Sequence, residues 1–279
     1  MIDLSIIIVA FNNFKEIHSL LTSLQKAFSG TALEVEVVVY DNSTSSGDMR
    51  EMVLSFGKSN FLTYLISEDG NCGFASAANR AAYMANGVLL LFLNADVSFS
   101  AEKLVDFVHK IKDFKEDAVI APLLCSEDNL VLSASGGAFH YRFSRIFTKL
   151  FRSHSYFLKK NPDYALEECD FIEVDWVAGT CLTVKNELFK LAGGFSSSYF
   201  MYFEDVDFCS RLSKKGVKSY LYKGFRLLHK GNSSKRKKWD YKVSRNLFLE
   251  RAGPIWCRLL DLVERFFVFC SSSKILSDN

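Results

Sequence analysis

Carboxylates and amides that could do chemistry gather at a few points in this chain. Phe11-Asn12-Asn13, Asp41-Asn42-Ser43 and Asn94-Ala95-Asp96 each close a short apolar run. Glu204-Asp205-Val206-Asp207 places carboxylates side by side just after the aromatic stretch Tyr199 to Phe203. His229 follows the apolar run Phe225 to Leu228 and alone among the five histidines has such a context. Groups of this kind can hold a hard cation or take a proton. Carboxylates that open a helix are also favoured by its N-terminal dipole, so the Glu204–Asp207 cluster has a structural reading beside the chemical one.

Two phosphate-binding loops are excluded. No glycine precedes Gly30, so the first apolar run is not followed by GxGxxG. Gly57-Lys58-Ser59 ends like a Walker loop, but Met52 stands where that loop needs its first glycine. Without either loop, a metal becomes the better bridge to a phosphate. The seven cysteines form no CxxC pair, which argues against a zinc ribbon and for reduced thiols in a cytosolic compartment.

The elements that must position these groups follow from apolar periodicity. Leu4 to Ala10 reads as a strand buried on both faces, and Ile17, Leu20, Leu21 and Leu24 mark one face of a helix after it. Val35–Tyr40, Phe61–Ile66, Val88–Leu93 and Val119–Leu123 read as further strands. Helices are expected over Phe74–Asn86, where alanines permit close packing, and around Leu104, Phe107, Val108 and Ile111. Alternating strands and helices imply an α/β fold with a mainly parallel sheet, whose ligands bind beyond the carboxyl ends of the strands. Those ends carry the polar clusters. In the second half, Val174–Val184 reads as a strand interrupted at Gly179. A short helix containing Phe208 and Leu212 stops at Gly216, and Lys218–Tyr222 is a strand. Trp176 is expected in the core, with stacking on a ligand as the alternative.

Composition sets outer limits. With 49% hydrophobic and 24% charged residues, the 279-residue chain is globular. A net charge of +2 gives no case for nucleic-acid binding. The N-terminus lacks the basic region and cleavage site of a signal peptide, and no run reaches the roughly 18 apolar residues of a membrane span.

The segments SIIIVAFNN, VVVYDNSTSSG, NCGFASAANRAA, LLLFLNADV and GGFSSSYFMYFEDVDFCSRLSKKG occur in the order found in family 2 glycosyltransferases. The stretch from Trp176 to Cys209 resembles bacterial lipopolysaccharide rhamnosyltransferases in particular. The resemblance runs from Leu4 to Ser234. It implies the Rossmann-like GT-A fold, an inverting transfer and a divalent cation, Mg²⁺ or Mn²⁺. It further implies a nucleoside-diphosphate sugar donor, dTDP-rhamnose, and a lipid-linked saccharide acceptor in O-antigen or capsule assembly.

By the same resemblance Asp41 reads the pyrimidine, a task its carboxylate suits by accepting an imide N–H. Phe11 and Asn12 border the base. Asn71, Gly73, Phe74 and Asn79 form the N-x-GF-x4-N element on the donor side, and Asn94 and Gly179 also approach the donor. Asn94-Ala95-Asp96 replaces the family's metal motif DxD, with Asn in first place, so Asp96 is the carboxylate ligand and His229 completes the metal site. Asp205 is the general base, while Glu204 and Asp207 orient the acceptor or the helix. Two rivals are a transferase of another nucleotide sugar, such as a UDP-hexose or UDP-N-acetylhexosamine, and a silent binding protein of the same fold. The glycine-loop argument sets a dehydrogenase aside.

These readings divide the chain into a glycosyltransferase domain over residues 1–235 and an extension over 236–279. Within the domain, 1–125 binds the nucleotide sugar and 126–235 carries acceptor binding and catalysis. The extension opens near the basic run Lys235, Arg236, Lys237, Lys238. From Ile255 to Cys270 it places Trp256, Leu259, Leu260, Val263, Phe266 and Phe267 on one helical face. Such a helix suits peripheral contact with the cytoplasmic face of an anionic inner membrane, or packing on another subunit; the oligomeric state is not legible.

Overall fold

A computed structural model describes residues 1–43, 47–56, 62–66, 70–128, 130–132, 135–137, 170–229 and 235–252. The amphipathic segment Ile255 to Cys270 and most of the aromatic, basic stretch from Ser135 to Asp170 lie outside the described residues.

The strands are β1 Leu4–Ala10, β2 Val35–Asp41, β3 Leu62–Ile66, β4 Leu89–Leu93, β5 Val97–Ser98, β6 Ala118–Cys125, β7 Gly136–Gly137, β8 Phe171–Val174, β9 Trp176–Val177, β10 Cys181–Lys185 and β11 Lys218–His229. The helices are α1 Phe14–Phe28, α2 Gly47–Ser55, α3 Phe74–Met84, α4 Ala101–Lys112, α5 Asn186–Leu191, α6 Glu204–Ser213 and α7 Lys235–Ala252. A nine-stranded sheet has the order β3-β2-β1-β4-β10-β6-β11-β5, with β8 also paired to β11. Strands β3, β2, β1, β4, β6 and β11 share one direction, and β10, β5 and β8 oppose it. This is the mainly parallel sheet with flanking helices that the alternation implies.

Two cores form because side chains alternate along each strand. On one side Leu4, Ile6 and Ile8 of β1 meet Leu20 and Leu24 of α1 and Leu104 and Phe107 of α4. On the other, Ile7 meets the alanines of α3, together with Phe92 of β4 and Phe208 and Leu212 of α6. Ala75, Ala77, Ala78, Ala81 and Ala82 are all fully buried, and their small side chains let the helix lie close to β1 and β2.

The topology gathers the polar clusters at one edge. In-register pairing sets Ala10 beside Asp41, so the ends of β1 and β2 coincide. Because β10 runs against β4, with Cys181 opposite Leu93, the turn before β10 returns to that same edge. It brings Gly179 and Thr180 there, and the Thr180 carbonyl accepts the N–H of Asn94 at 2.9 Å. The strand expected over Lys218–Tyr222 is longer than its sequence signal. A register shift between Tyr222 and Arg226 lets β11 continue to His229. Its last residues pair with β5, His229 opposite Val97, which carries the histidine to the residue next to Asp96.

Candidate active site

The expected site residues fall into two groups and a support. The first group lies at the ends of β1 and β2. Phe11 is 43% exposed there, and Asn12 takes a left-handed conformation at φ +52°. The Asn12 N–H donates to Ser43 Oγ at 2.9 Å, and the Ser43 N–H donates to Asp41 Oδ1 at 3.0 Å. Asp41 itself is fully buried. Asn42, which the sequence marked only as part of a polar cluster, fastens this corner to the next. Its Nδ2 donates to Asn71 Oδ1 at 2.9 Å, and its Oδ1 accepts the Cys72 N–H at 3.0 Å. Asn71 Oδ1 also accepts the Gly73 N–H at 3.1 Å. Gly73 has φ +83°, and a Cβ there would lie 2.7 Å from the Phe200 carbonyl oxygen, so the tight turn expected here also admits the aromatic loop.

The second group surrounds a cavity of about 360 Å³. Phe74, Asn94, Asp96, Gly179, Glu204, Asp205 and His229 line it, with Trp176, Tyr202 and Tyr241 among the other walls. Asp96 Oδ1 stands 3.4 Å from His229 Nε2, both side chains being partly exposed. In the same cavity wall, Asp205 Oδ2 accepts the Gly179 N–H at 2.7 Å and Oδ1 accepts the Val206 N–H at 2.8 Å. Gly179 thus marks a close approach to the Asp205 carboxylate: a Cβ there would sit 3.4 Å from the Asp205 Cβ. Burial pushes the Asp205 carboxyl above the usual aspartate range, and the Gly179 and Val206 N–H groups oppose that rise. Glu204 is buried, and its Oε2 has no hydrogen-bond partner among the described residues. Burial first, and then the charge of Asp205, push its carboxyl well above the ordinary glutamate range.

Asp207 and Asn79 form the support. Asp207 Oδ2 accepts Arg211 Nε at 2.7 Å, one turn along α6, and Oδ1 accepts the Tyr199 hydroxyl at 3.5 Å. The same guanidinium donates to the carbonyls of Ala192 and Gly194. Asn79 grips the backbone of Phe195 from both sides, Nδ2 to the carbonyl at 2.7 Å and Oδ1 to the N–H at 2.8 Å. The Gly193-Gly194-Phe195 turn is therefore fixed from α3 and α6 together. Beyond it the loop reaches Tyr202 and Phe203, both left-handed at φ +69° and +68°. Consecutive non-glycine residues in that region store strain, which clusters where a site must be held in shape.

Trp176 packs against the cores and also lines the cavity. Tyr241 was missed because its neighbours in sequence are basic and polar. Only the packing of α7 on the aromatic loop brings it in.

Two carboxylate sites therefore line one cavity, one carrying an imidazole and the other held by backbone N–H groups. A family model described as glycosyl transferase family 2 matches residues 5–165. An N-acetylglucosaminyl-diphospho-decaprenol L-rhamnosyltransferase of Mycobacterium tuberculosis is 26% identical over 255 residues, which cover 84% of this chain and 78% of that protein. Among solved structures, GalNAc-T7 with UDP, GalNAc and Mn²⁺ is similar at a TM-score of 0.60 and 15% identity, over 84% of this chain and 44% of that one. The mannosyltransferase PcManGT from Pyrobaculum calidifontis, in complex with GDP-Man and Mn²⁺, gives 0.59 and 16%, over 87% and 60%. This chain spans less than two thirds of either solved chain, and both likenesses show the GT-A fold. Since residues 5–165 are more than half of its 279 residues, the chain belongs to glycosyl transferase family 2 and is a glycosyltransferase.

Proposed function

We propose that the protein is an inverting rhamnosyltransferase that moves L-rhamnose from dTDP-rhamnose to a hydroxyl of a lipid-linked saccharide, in the assembly of a bacterial surface polysaccharide. The observation that carries the chemistry is Asp205, a carboxylate fixed by two N–H groups in the wall of a cavity that Asp96 and His229 also line. The likeness to an L-rhamnosyltransferase named for an N-acetylglucosaminyl-diphospho-lipid supports the sugar and the acceptor class.

Asp205 takes the proton of the acceptor hydroxyl as that oxygen attacks the anomeric carbon. The bond from that carbon to the diphosphate oxygen breaks, and the nucleoside diphosphate leaves from the opposite face, so one displacement inverts the centre. A raised carboxylate pKa suits this work, since a base is most effective with its pKa near the working pH. Glu204 orients the acceptor from the cavity wall, and Asp207 keeps α6 and its loop in place. Asp41 reads the pyrimidine from the β2 end, with Phe11 and Asn12 beside it.

Asp96 and His229 fit a divalent cation, Mg²⁺ or Mn²⁺. One oxygen and one nitrogen donor stand 3.4 Å apart in the cavity wall. No cluster of three or more His, Cys, Asp or Glu ligands occurs among the described residues. Such a pair leaves most of a hard cation's shell to diphosphate oxygens and water, the usual arrangement at phosphate-transfer sites. The bound cation would offset charge on the departing diphosphate.

Among the described residues no helix is long and apolar enough to cross a membrane. The basic run and the apolar face of Ile255 to Cys270 support peripheral attachment to the cytoplasmic face of an inner membrane.

The test is donor and product. dTDP-rhamnose is compared with UDP-hexoses and UDP-N-acetylhexosamines, with Mg²⁺ or Mn²⁺, using an N-acetylglucosaminyl-diphospho-lipid acceptor. NMR then assigns the anomer formed. Rhamnose transfer with inversion is expected; a preferred UDP-sugar removes the rhamnose reading, and a retained anomer removes the mechanism.

A further inference from the structure

We propose that α7 builds a subsite for the saccharide of the acceptor, with Tyr241 as the residue that contacts its ring. This rests on the transferase reading and assigns the acceptor a wall that comes from outside the matched residues 5–165.

The helix is docked on the aromatic loop at several points. Ser244 Oγ donates to the Met201 carbonyl at 2.7 Å. Phe248 is fully buried, its ring 5.6 Å from that of Phe203. Arg251 reaches Ser196 Oγ at 3.4 Å. These contacts hold α7 against the loop that precedes Glu204 and Asp205, so that Tyr241 of the helix reaches the cavity wall.

Tyr241 sits at the mouth of that cavity. It lines the same space as Asp205, yet is 45% exposed. Its ring lies 6.0 Å from Tyr202 at 63° and 5.1 Å from Phe203 at 56°. Among the described residues neither ring neighbour stacks face to face with it, and nearly half of its surface is open. Trp176 and Met201 continue the apolar wall. A pyranose suits such a wall, because it presents C–H bonds on a face and hydroxyls around its rim. An aromatic with a polar tip can meet both. An apolar pocket with few convergent polar groups orients a ligand in this way, and here the convergent group is the Asp205 carboxylate. In sequence α7 leads toward the amphipathic segment Ile255 to Cys270, so the helix that would contact the sugar is joined to the segment suited to the lipid surface.

Steady-state transfer with varied N-acetylglucosaminyl-diphospho-lipid of short chain, at saturating dTDP-rhamnose, tests the assignment. Tyr241→Ala and Tyr241→Leu should raise the acceptor KM about tenfold, while Tyr241→Phe stays within about threefold of the parent. Donor KM and acceptor-free hydrolysis of dTDP-rhamnose should not move. An unchanged acceptor KM in Tyr241→Ala overturns the subsite. So does an equal loss in acceptor-free hydrolysis, which would make Tyr241 a loop support, or a parent that this acceptor does not saturate. A parent that hydrolyses no nucleotide sugar and transfers none fails earlier, at the transferase reading itself.

Discussion

The two halves of the site are built on opposite principles. At the ends of β1 and β2 the polar groups satisfy one another: Asn12 with Ser43, Ser43 with Asp41, and Asn42 with Asn71 and Cys72. Around α6 the reverse holds. Two consecutive aromatic residues are left-handed, where the β1 end has only Asn12, a residue type that tolerates that conformation; among the described residues a buried glutamate oxygen has no partner, and two adjacent carboxyls are pushed above their usual range. A satisfied polar network rigidifies a region, whereas strain and unpaired charge lower its stability and persist only when the surroundings hold them. The first half is therefore suited to gripping a nucleotide, and the second to changing a proton's owner. Substitutions in the first should appear in affinity, and those in the second in rate, with stability unchanged or improved.

The largest effect is expected at Asp205. Asp205→Asn keeps the shape and one of the two backbone contacts, since its NH₂ cannot accept an N–H, and it loses the basicity. Single-turnover transfer at saturating donor should fall about 10²–10⁴-fold, with donor binding retained. In the parent, the rate should rise with pH as Asp205 loses its proton, along a limb displaced above the ordinary aspartate range. The variant should lack that limb. Near-parental turnover would move the base elsewhere, and a dead Asp207→Asn beside an active Asp205→Asn would move it two residues along.

Next in size is the seam between the halves. Asn79→Ala removes both partners of the Phe195 backbone. Leaving those polar groups unpaired costs about 2–4 kcal/mol, so thermal unfolding should come several degrees earlier. A parental Tm would show that the turn is held by Arg211 alone.

The parts legible in the sequence are those whose signal is local. Apolar runs located β1, β2 and β4, and the polar residues just beyond them marked one edge of the sheet as the place of the site. Asp96 and His229, far apart in the chain, were paired only through family resemblance. The physical cause is the β5–β11 pairing, which a two-residue strand scarcely announces. Asn79 read as a donor contact because nothing near it in sequence reveals Phe195. Tyr241 was invisible for the same reason: its role exists only once α7 meets the aromatic loop. What periodicity cannot carry is the contact between distant segments, and the part of the site around α6 is made mostly of those.

A smaller effect tests the gripping half. Asp41→Ala should weaken the donor about ten- to hundredfold, the worth of one hydrogen bond to a charged group at roughly 1.5–3 kcal/mol, with little change in the chemical step. Calorimetry with the nucleoside diphosphate, with and without Mn²⁺, measures it. Asp96→Ala in the same titration should abolish the metal-dependent part alone. Equal affinity in Asp41→Ala would take that residue out of the base pocket and break the contrast between the halves.

The smallest effect is the most direct test of stored cost. Glu204 carries a folded pKa well above its ordinary 4.5, through burial and the neighbouring Asp205 charge. Below that ordinary value both folded and unfolded chains hold the proton, and Glu204 exacts no penalty. As pH rises, the unfolded chain releases the proton while the folded chain keeps it, so the fold loses stability until the folded pKa is passed. Glu204→Gln cannot titrate and stays close in shape to the protonated acid. Its Tm should match the parent near pH 4.5 and exceed it increasingly toward neutral pH, by an amount on the order of 2–4 °C for each kcal/mol recovered. Scanning calorimetry across that range separates two states of the residue. A gap that widens with pH identifies Glu204 as a proton-holding wall of the cavity. A gap that closes or reverses would make it an ionised group with a favourable partner, and the contrast with the β1–β2 corner would then rest on the backbone strain at Tyr202 and Phe203 alone.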